Sequence, residues 1–421
     1  MIMENGSGKS CNKRPQYWRG ALCVALLGLC LMRTAHAQFT PLSSFSGSNG
    51  EEPEGNLTLI GSTLYGTTTE GGTDGEGTVY SMPISGGTPT PLFSFDGSNG
   101  EEPLAGLTFD GNNTLYGTTY LGGGTGFSTE GSVFSVPVNG NAPTTLATFN
   151  TTGTGSKTGP KSGVTLIGST LYGTTPAGSS GPGTVFSVPI TGGGATVLGT
   201  FNGTNGLTPD SGLVVSGTTL YGTTALGGQN SDGTVFSGPV GAGQPTTLAS
   251  FSASTNGEDP SALSLTLIGT TLYGTTVAGG ANGAGTVFSV PVTGGAITTL
   301  ASFSSSVSGS DAYGTLVLVG STLYGTAEFG GANNDGTVFS LPLAGGAVTP
   351  IVTFDGSNGA NPFAGLTADG ETLYGTTSAG GTGDGTIFAI NLEGIPEPST
   401  WALLLGGLGM LPFWWTRRRG V

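Results

Sequence analysis

Between residues 38 and 395 the chain carries 23 carboxylates, two lysines (Lys157 and Lys161) and no histidine, cysteine or arginine. That inventory removes imidazole acid–base catalysis, thiol nucleophiles and guanidinium phosphate clamps. It also removes the usual zinc ligands. A net charge of −21 over the same stretch excludes nucleic acid as a partner, because binding it needs clustered Lys and Arg to displace phosphate counterions. Carboxylates, hydroxyls and tyrosines remain. Paired carboxylates can cleave glycosidic bonds, so a carboxylate-based polysaccharide hydrolase or lyase is an alternative. No single acidic pair stands out, however, and segments repeated seven times argue against one unique centre. The chain reads as non-catalytic.

The acids nonetheless have a pattern. Glu70, Asp74, Glu76, Glu130, Asp232, Glu328, Asp335 and Asp384 follow a recurring Leu-Tyr-Gly-Thr segment. Glu51, Glu52, Glu54, Asp96, Glu101, Glu102, Asp210, Glu258, Asp259, Asp311 and Asp355 follow a recurring phenylalanine. If these are alternate loops of an up-and-down sheet, 19 of the 23 acids share one face. Such a face can collect hard cations through carboxylate and carbonyl oxygens. Its candidate Ca2+ ligands are Glu76, Glu130, Asp232, Asp335, Asp384, Asp96 and Asp355, and no other cofactor is expected. A plainer account competes: Asp and Asn before Gly are ordinary turn residues, and acids keep an exported protein soluble. No stretch matches the EF-hand calcium loop, and Pro182 and Ala284 stand where other repeats have an acid. Turn chemistry is the stronger reading.

The elements that carry these residues repeat. Thr63-Leu64-Tyr65-Gly66-Thr67-Thr68 returns six more times, with tyrosines at Tyr116, Tyr172, Tyr221, Tyr273, Tyr324 and Tyr374. The spacings are 51, 56, 49, 52, 51 and 50 residues. A Gly-Thr-Val-Phe-Ser motif follows each one, opening at Gly77, Gly131, Gly183, Gly233, Gly285, Gly336 and Gly385. A fixed period near 50 marks a repeat architecture. Alternation, β-branched residues and Gly breaks predict four strands per repeat, near residues 57–60, 63–68, 78–84 and 91–95 in the first. The identical strand position of the tyrosines makes them fillers between repeats rather than sugar-stacking residues.

The two ends decide the topology. After Gly385-Thr386-Ile387-Phe388 the seventh repeat stops without a fourth strand, while an orphan strand precedes the first repeat at residues 40–45. If the termini meet, a ring of four-stranded blades closes with no exposed edge. The expected fold is all-β: a seven-bladed β-propeller whose N-terminal strand completes the last blade.

Here the chain resembles a family. The order Leu-Tyr-Gly-Thr-Thr, Gly-Gly, Gly-Thr-Val-Phe-Ser is similar to the GloVer tandem repeat of exported bacterial proteins, over about residues 39–393. Departures are local: Ala327, Ser132 and Ala389 replace the usual residues, and Gly178-Ser179-Ser180 replaces a Gly-Gly. The resemblance implies export and repetition, and no defined reaction.

The flanks fit export. Lys13, Arg14 and Arg19 precede an apolar run at residues 21–31, and Ala35-His36-Ala37 is a small-x-small cleavage site. Residues 1–37 therefore read as a signal peptide, too short in its apolar part to span a bilayer. At the other end Pro396-Glu397-Pro398 leads into an apolar run at residues 401–415 and then Arg417, Arg418 and Arg419. Residues 396–421 resemble the PEP-CTERM sorting signal, which implies an exosortase-type protease as processing partner. The run is shorter than the ~20 residues a span needs, which suits a transient stay in the inner membrane of a Gram-negative-type cell. Residues 38–395 are then the exported repeat domain of a cell-surface or extracellular-matrix protein, with an exopolysaccharide or another surface protein as its expected partner. A calcium-stabilised structural module without a ligand is the remaining alternative. Two irregularities, the insert at residues 121–130 and the Lys157/Lys161 region, mark either a partner site or a tolerated loop.

Overall fold

The computed structural model describes residues 37–124, 131–149, 159–176 and 181–393, and every element in them is a β-strand. The proposed cleavage site at Ala35, the acid Glu130, the Pro396-Glu397-Pro398 motif and the tail beyond it lie outside these residues. Blade 1 is β2 (Thr58–Ile60), β3 (Thr63–Thr68), β4 (Thr78–Pro83) and β5 (Thr90–Ser94), antiparallel and paired in that order. Five more blades repeat it through residue 353. The seventh is β26 (Thr367–Asp369), β27 (Thr372–Thr377) and β28 (Thr386–Asn391), completed by β1 (Gln38–Ser44). Phe39 pairs with Ile390 and Ser44 with Thr386, so the first strand closes the last sheet. The protein is a seven-bladed β-propeller, as the split repeat predicts.

No backbone ladder joins one blade's sheet to the next. Side chains do that work, and the same contact recurs at all seven interfaces. The phenylalanine ending each fourth strand meets the aromatic ring of the next blade's third strand, from Phe45–Tyr80 through Phe201–Phe236 to Phe354–Phe388. Centroids lie 4.8–5.4 Å apart, six of the pairs edge-on and the last tilted at 55°. Such pairs add about 0.5–1.5 kcal/mol beyond the area they bury. The third-strand ring lies across the glycine of the Leu-Tyr-Gly motif: a Cβ on Gly274 would sit 2.7 Å from Phe288 Cζ. That glycine is a matter of space, not of backbone freedom. The repeated tyrosines fill the opposite side of the interface, as Tyr65 does against Phe95 and Leu115, and as Tyr374 does across the ring closure against Phe45.

The Thr-Thr pair has two distinct duties. The first threonine donates to a carbonyl entering the next blade, from Thr67 to Ala105 (2.8 Å) round to Thr376 to Pro53 (3.0 Å), seven bonds in all. The second pairs within its blade with the Thr or Ser of the third strand, as Thr68 with Thr78 (2.9 Å). In blade 6 Ala327 removes that partner, and Thr337 Oγ1 keeps the bond to a crossing carbonyl, Ser308 O at 2.9 Å, that Thr286 also makes to Asn256 O.

Blade 1 alone carries tyrosine where the other six have phenylalanine, and Tyr80 Oη is fully buried without a hydrogen-bond partner. An unsatisfied buried hydroxyl costs about 1–3 kcal/mol. Tyr80→Phe is therefore expected to raise the unfolding free energy by about that amount, read from denaturant titration at unchanged slope; a loss of stability would mean the hydroxyl is in use. Phe45→Ala is expected to cost about 3–5 kcal/mol. Phe251→Ala in the middle of the ring should match it, and a much smaller loss at Phe45 would show that β1 does not close the fold.

Candidate functional site

The first strand of each blade faces the ring axis. Thr58, Thr108, Thr165, Thr266 and Thr367 each donate a hydroxyl to a carbonyl of the neighbouring first strand, at Leu107, Val164, Leu213, Leu316 and Leu57. These strands line an axial cavity of about 240 Å³. Toward one end it narrows. Asn56 Nδ2 donates to Thr315 Oγ1 (3.2 Å), and Asn56 Oδ1 accepts from Gly365 N (2.6 Å), spanning blades 1, 6 and 7. Leu263, in a segment one residue longer than its counterparts, adds backbone bonds to Gly212 and Tyr313.

Above this constriction is a ring of loop ends. The loop between the second and third strands and the crossing from the fourth strand meet on one face, paired through Glu51 and Glu70, Glu258 and Ala278, and Ala360 and Ala379. The acids of both loop kinds therefore do share a face. Six of the seven crossings then turn inward at a residue with positive φ: Glu52 (54°), Glu102 (52°), Thr208 (60°), Asp259 (54°), Asp311 (56°) and Asn361 (56°). Non-glycine residues there carry strain of order 1 kcal/mol or more. The backbone holds them: Asp259 N donates to Asp232 O, and Val277 N donates to Asp259 O.

Two residues further on, the side chains come to the axial mouth. They are Glu54, Leu104, Lys161, Asp210, Ser261, Tyr313 and Phe363, all half-buried and no two alike. Tyr313 stacks on Phe363, centroids 4.7 Å apart and planes 26° apart. Lys161, the one Lys or Arg among the described residues, lies 3.8 Å from Asp210 and 5.6 Å from the centre of the Tyr120 ring. Burial, then the charges of Asp259, Glu328, Asp311 and Asp210, push the Tyr313 phenol up to about 12, so acids from three blades converge on it. Burial and Glu52 raise Glu54 to about 7, against a hydrogen bond from Thr69. Burial, Glu54 and Asp311 raise Glu328 to about 7 as well. Asp210 is raised by burial to about 6 although Lys161 opposes the shift.

The candidate calcium ligands do not meet in this way. Asp96 Oδ1 accepts from Ser98 N, Ser98 Oγ and Asn99 N, and Asp355 Oδ1 accepts from Ser357 Oγ and Asn358 N. In both, one carboxylate oxygen closes its own turn. Asp232 Oδ2 accepts from Ala253 N at 2.8 Å. Glu76, Asp232, Asp335 and Asp384 sit on separate blades. Among the described residues no three acid, His or Cys side chains group as metal ligands. The sequence reading named Glu54, Asp210 and Lys161 as loop residues but not as one site, and it missed Tyr313 and Phe363. Aligning the repeats on the residue after Pro53, Pro103, Pro160, Pro209, Pro260, Ala312 and Pro362 would have exposed the ring.

The raised carboxyls set a pH dependence. Between their ordinary 4.5 and about 7 the unfolded chain has lost protons that Glu54 and Glu328 still hold in the fold. Their contribution is fully present below pH 4.5 and is lost as pH rises through about 7. The urea midpoint is expected to fall over that interval, and the Glu54→Gln/Glu328→Gln variant to flatten the profile; a parent protein with no slope there would contradict the assignment.

Comparison with known proteins agrees on the fold. No curated protein is significantly similar to the chain. A puromycin-hydrolyzing peptidase of Mycobacterium tuberculosis superposes with a TM-score of 0.53 at 14% identity, covering 85% of this chain and 55% of the peptidase. The chain thus spans about half of that enzyme's length. An oligogalacturonate lyase solved with manganese superposes with a TM-score of 0.51 at 13% identity, over 87% of this chain and 94% of the lyase. At these identities the likeness is one of fold alone. The model of the Gloeobacter/Verrucomicrobia repeat matches residues 29–180 and 159–388, and with all seven blades built on that repeat the chain belongs to this family.

Proposed function

We propose that the protein is a non-catalytic exported repeat protein of the cell surface or extracellular matrix, and that it binds exopolysaccharide at the axial mouth. One observation carries the reading. On a scaffold whose interfaces repeat blade by blade, the seven axial side chains are all different. A site for an asymmetric ligand needs that variety, and the backbone that holds the position leaves its side chains free to supply it. The mouth offers an aromatic stack, hydroxyls and carboxylate acceptors, the groups that contact sugar rings and their hydroxyls. Its acidity disfavours an anionic polymer. Export through the signal segment and processing at Pro396-Glu397-Pro398 by an exosortase-type protease bring the domain to where such a polymer is found.

A second reading has its own support. Glu54 and Glu328, both held near 7, are suited to proton transfer at neutral pH, which is what a carboxylate-based polysaccharide hydrolase or lyase requires.

The test is retention of the protein on the exopolysaccharide of the producing organism, with calcium and then with chelator, followed by analysis of the released sugar. Retention without new reducing or unsaturated ends is the expected result, and its loss on chelation would assign the acidic face to calcium. No retention in either condition would sink the binding reading. Removal of residues 396–421 is expected to change where the protein accumulates; an unchanged location would remove the sorting role from the tail.

A further inference from the structure

The mouth is not evenly built. On one side Lys161 and Asp210 form an ion pair at 3.8 Å, with Lys161 also over the Tyr120 ring. There one lysine faces two acids, Asp210 and Asp259, and Asp210 Oδ1 is buried without a hydrogen-bond partner. Next along the ring Tyr313 stacks on Phe363; Glu54 and Glu328 are near enough for the charge of Glu54 to act on Glu328, and that of Glu328 acts on Tyr313. No Lys or Arg among the described residues other than Lys161 is available to this arc. An aromatic pair beside carboxyl groups with no basic partner attracts an organic cation, through the ring quadrupole and through charge-assisted hydrogen bonds that favour the ionised carboxylate. Asn56 and Thr315, two residues beyond Glu54 and Tyr313 in the chain, are bonded across the axis, so the site is read as open and shallow. A site of this kind suits a flat ring bearing an ammonium group better than a long side chain that needs an apolar slot for its stem.

We infer that the arc of Tyr313, Phe363, Glu54 and Glu328 recognises a glycan carrying free amino groups, a hexosamine unit stacked by its C–H face on the aromatic pair with its ammonium directed at the carboxylates. This deepens the binding function proposed above and rests on it. Neighbouring acids such as Asp311 then accept from hydroxyls of the same or adjacent units.

Calorimetric titration of the full chain with a glucosamine hexamer tests the assignment. The same titration with an N-acetylglucosamine hexamer, a glucose hexamer and hexalysine separates the sources of binding. Binding of the glucosamine hexamer alone is expected, weakened about tenfold by Phe363→Ala and by Glu54→Gln, and unchanged by Phe329→Ala on the exposed rim of blade 6. Equal binding of the N-acetylated or glucose hexamer would overturn the requirement for an ammonium group. Hexalysine binding as tightly as glucosamine would overturn the glycan in favour of a basic peptide. Glucosamine binding indifferent to both variants, with their denaturation midpoints near the parent value, would place it elsewhere. If the native exopolysaccharide is retained but the glucosamine hexamer is not bound, this inference fails while the function proposed above stands; if neither binds, that function fails first.

Discussion

The fold depends on one contact made seven times: an aromatic ring laid over a glycine and met by the phenylalanine of the preceding blade. No strand ladder crosses between blades, so neighbours are held by side chains wedged between sheets and by single backbone bonds such as Asp259 N to Asp232 O. The glycine lets the third-strand ring drop onto the sheet, which brings the two aromatic centroids to about 5 Å (5.0 Å for Phe303–Phe339). A larger residue would lift the ring and open every wedge it occupied. The threonine that donates across each interface acts on the same gap from its other end, tying the second strand to the segment entering the next blade. Ring geometry and polar tie together fix the angle between neighbours, and seven such angles close the circle. At the closure itself the parts are supplied by the two chain ends: Phe45 provides the ring and Pro53 the carbonyl that receives Thr376.

This arrangement explains what was legible. The Leu-Tyr-Gly-Thr-Thr and Gly-Thr-Val-Phe-Ser motifs are readable because each residue in them serves the interface, and the interface recurs. The missing fourth strand and the orphan at the N-terminus were readable for the same reason, since a period shows its own interruption. The two strands nearest the motifs were placed to within a residue of β3 and β4, while β1 begins at Gln38, two residues before the expected position. That difference follows from the partner: β1 pairs along nearly the whole of β28, to Asn391, which a reading of local pattern cannot see. The shared acidic face was also legible, because strand alternation alone dictates which loops meet.

The axial ring was hidden by the same logic. Periodicity finds what repeats, and Glu54, Lys161, Asp210, Tyr313 and Phe363 occupy one position of the repeat with nothing in common. A search that rewards recurrence treats them as noise. The acids that did recur before glycine were the easier signal, yet the structure spends Asp96 and Asp355 on turn hydrogen bonds. Regular spacing of a functional-looking residue was here a sign of local backbone chemistry, while irregularity at a fixed position marked the place where differences accumulate.

Why differences can accumulate there follows from how the position is held. The residue two places earlier is locked in the left-handed region by its own backbone N–H and C=O, bonded to the preceding and the same blade, as at Asp259 and Asn361. Those bonds ask nothing of the side chain that follows, which projects into the mouth without entering a blade interface. Even the proline between them is dispensable, since Ala312 replaces it while Asp311 keeps the same φ of 56°. The chain can thereby hold seven near-identical wedges around seven unlike side chains, the wedges asking nothing of the residues at the mouth.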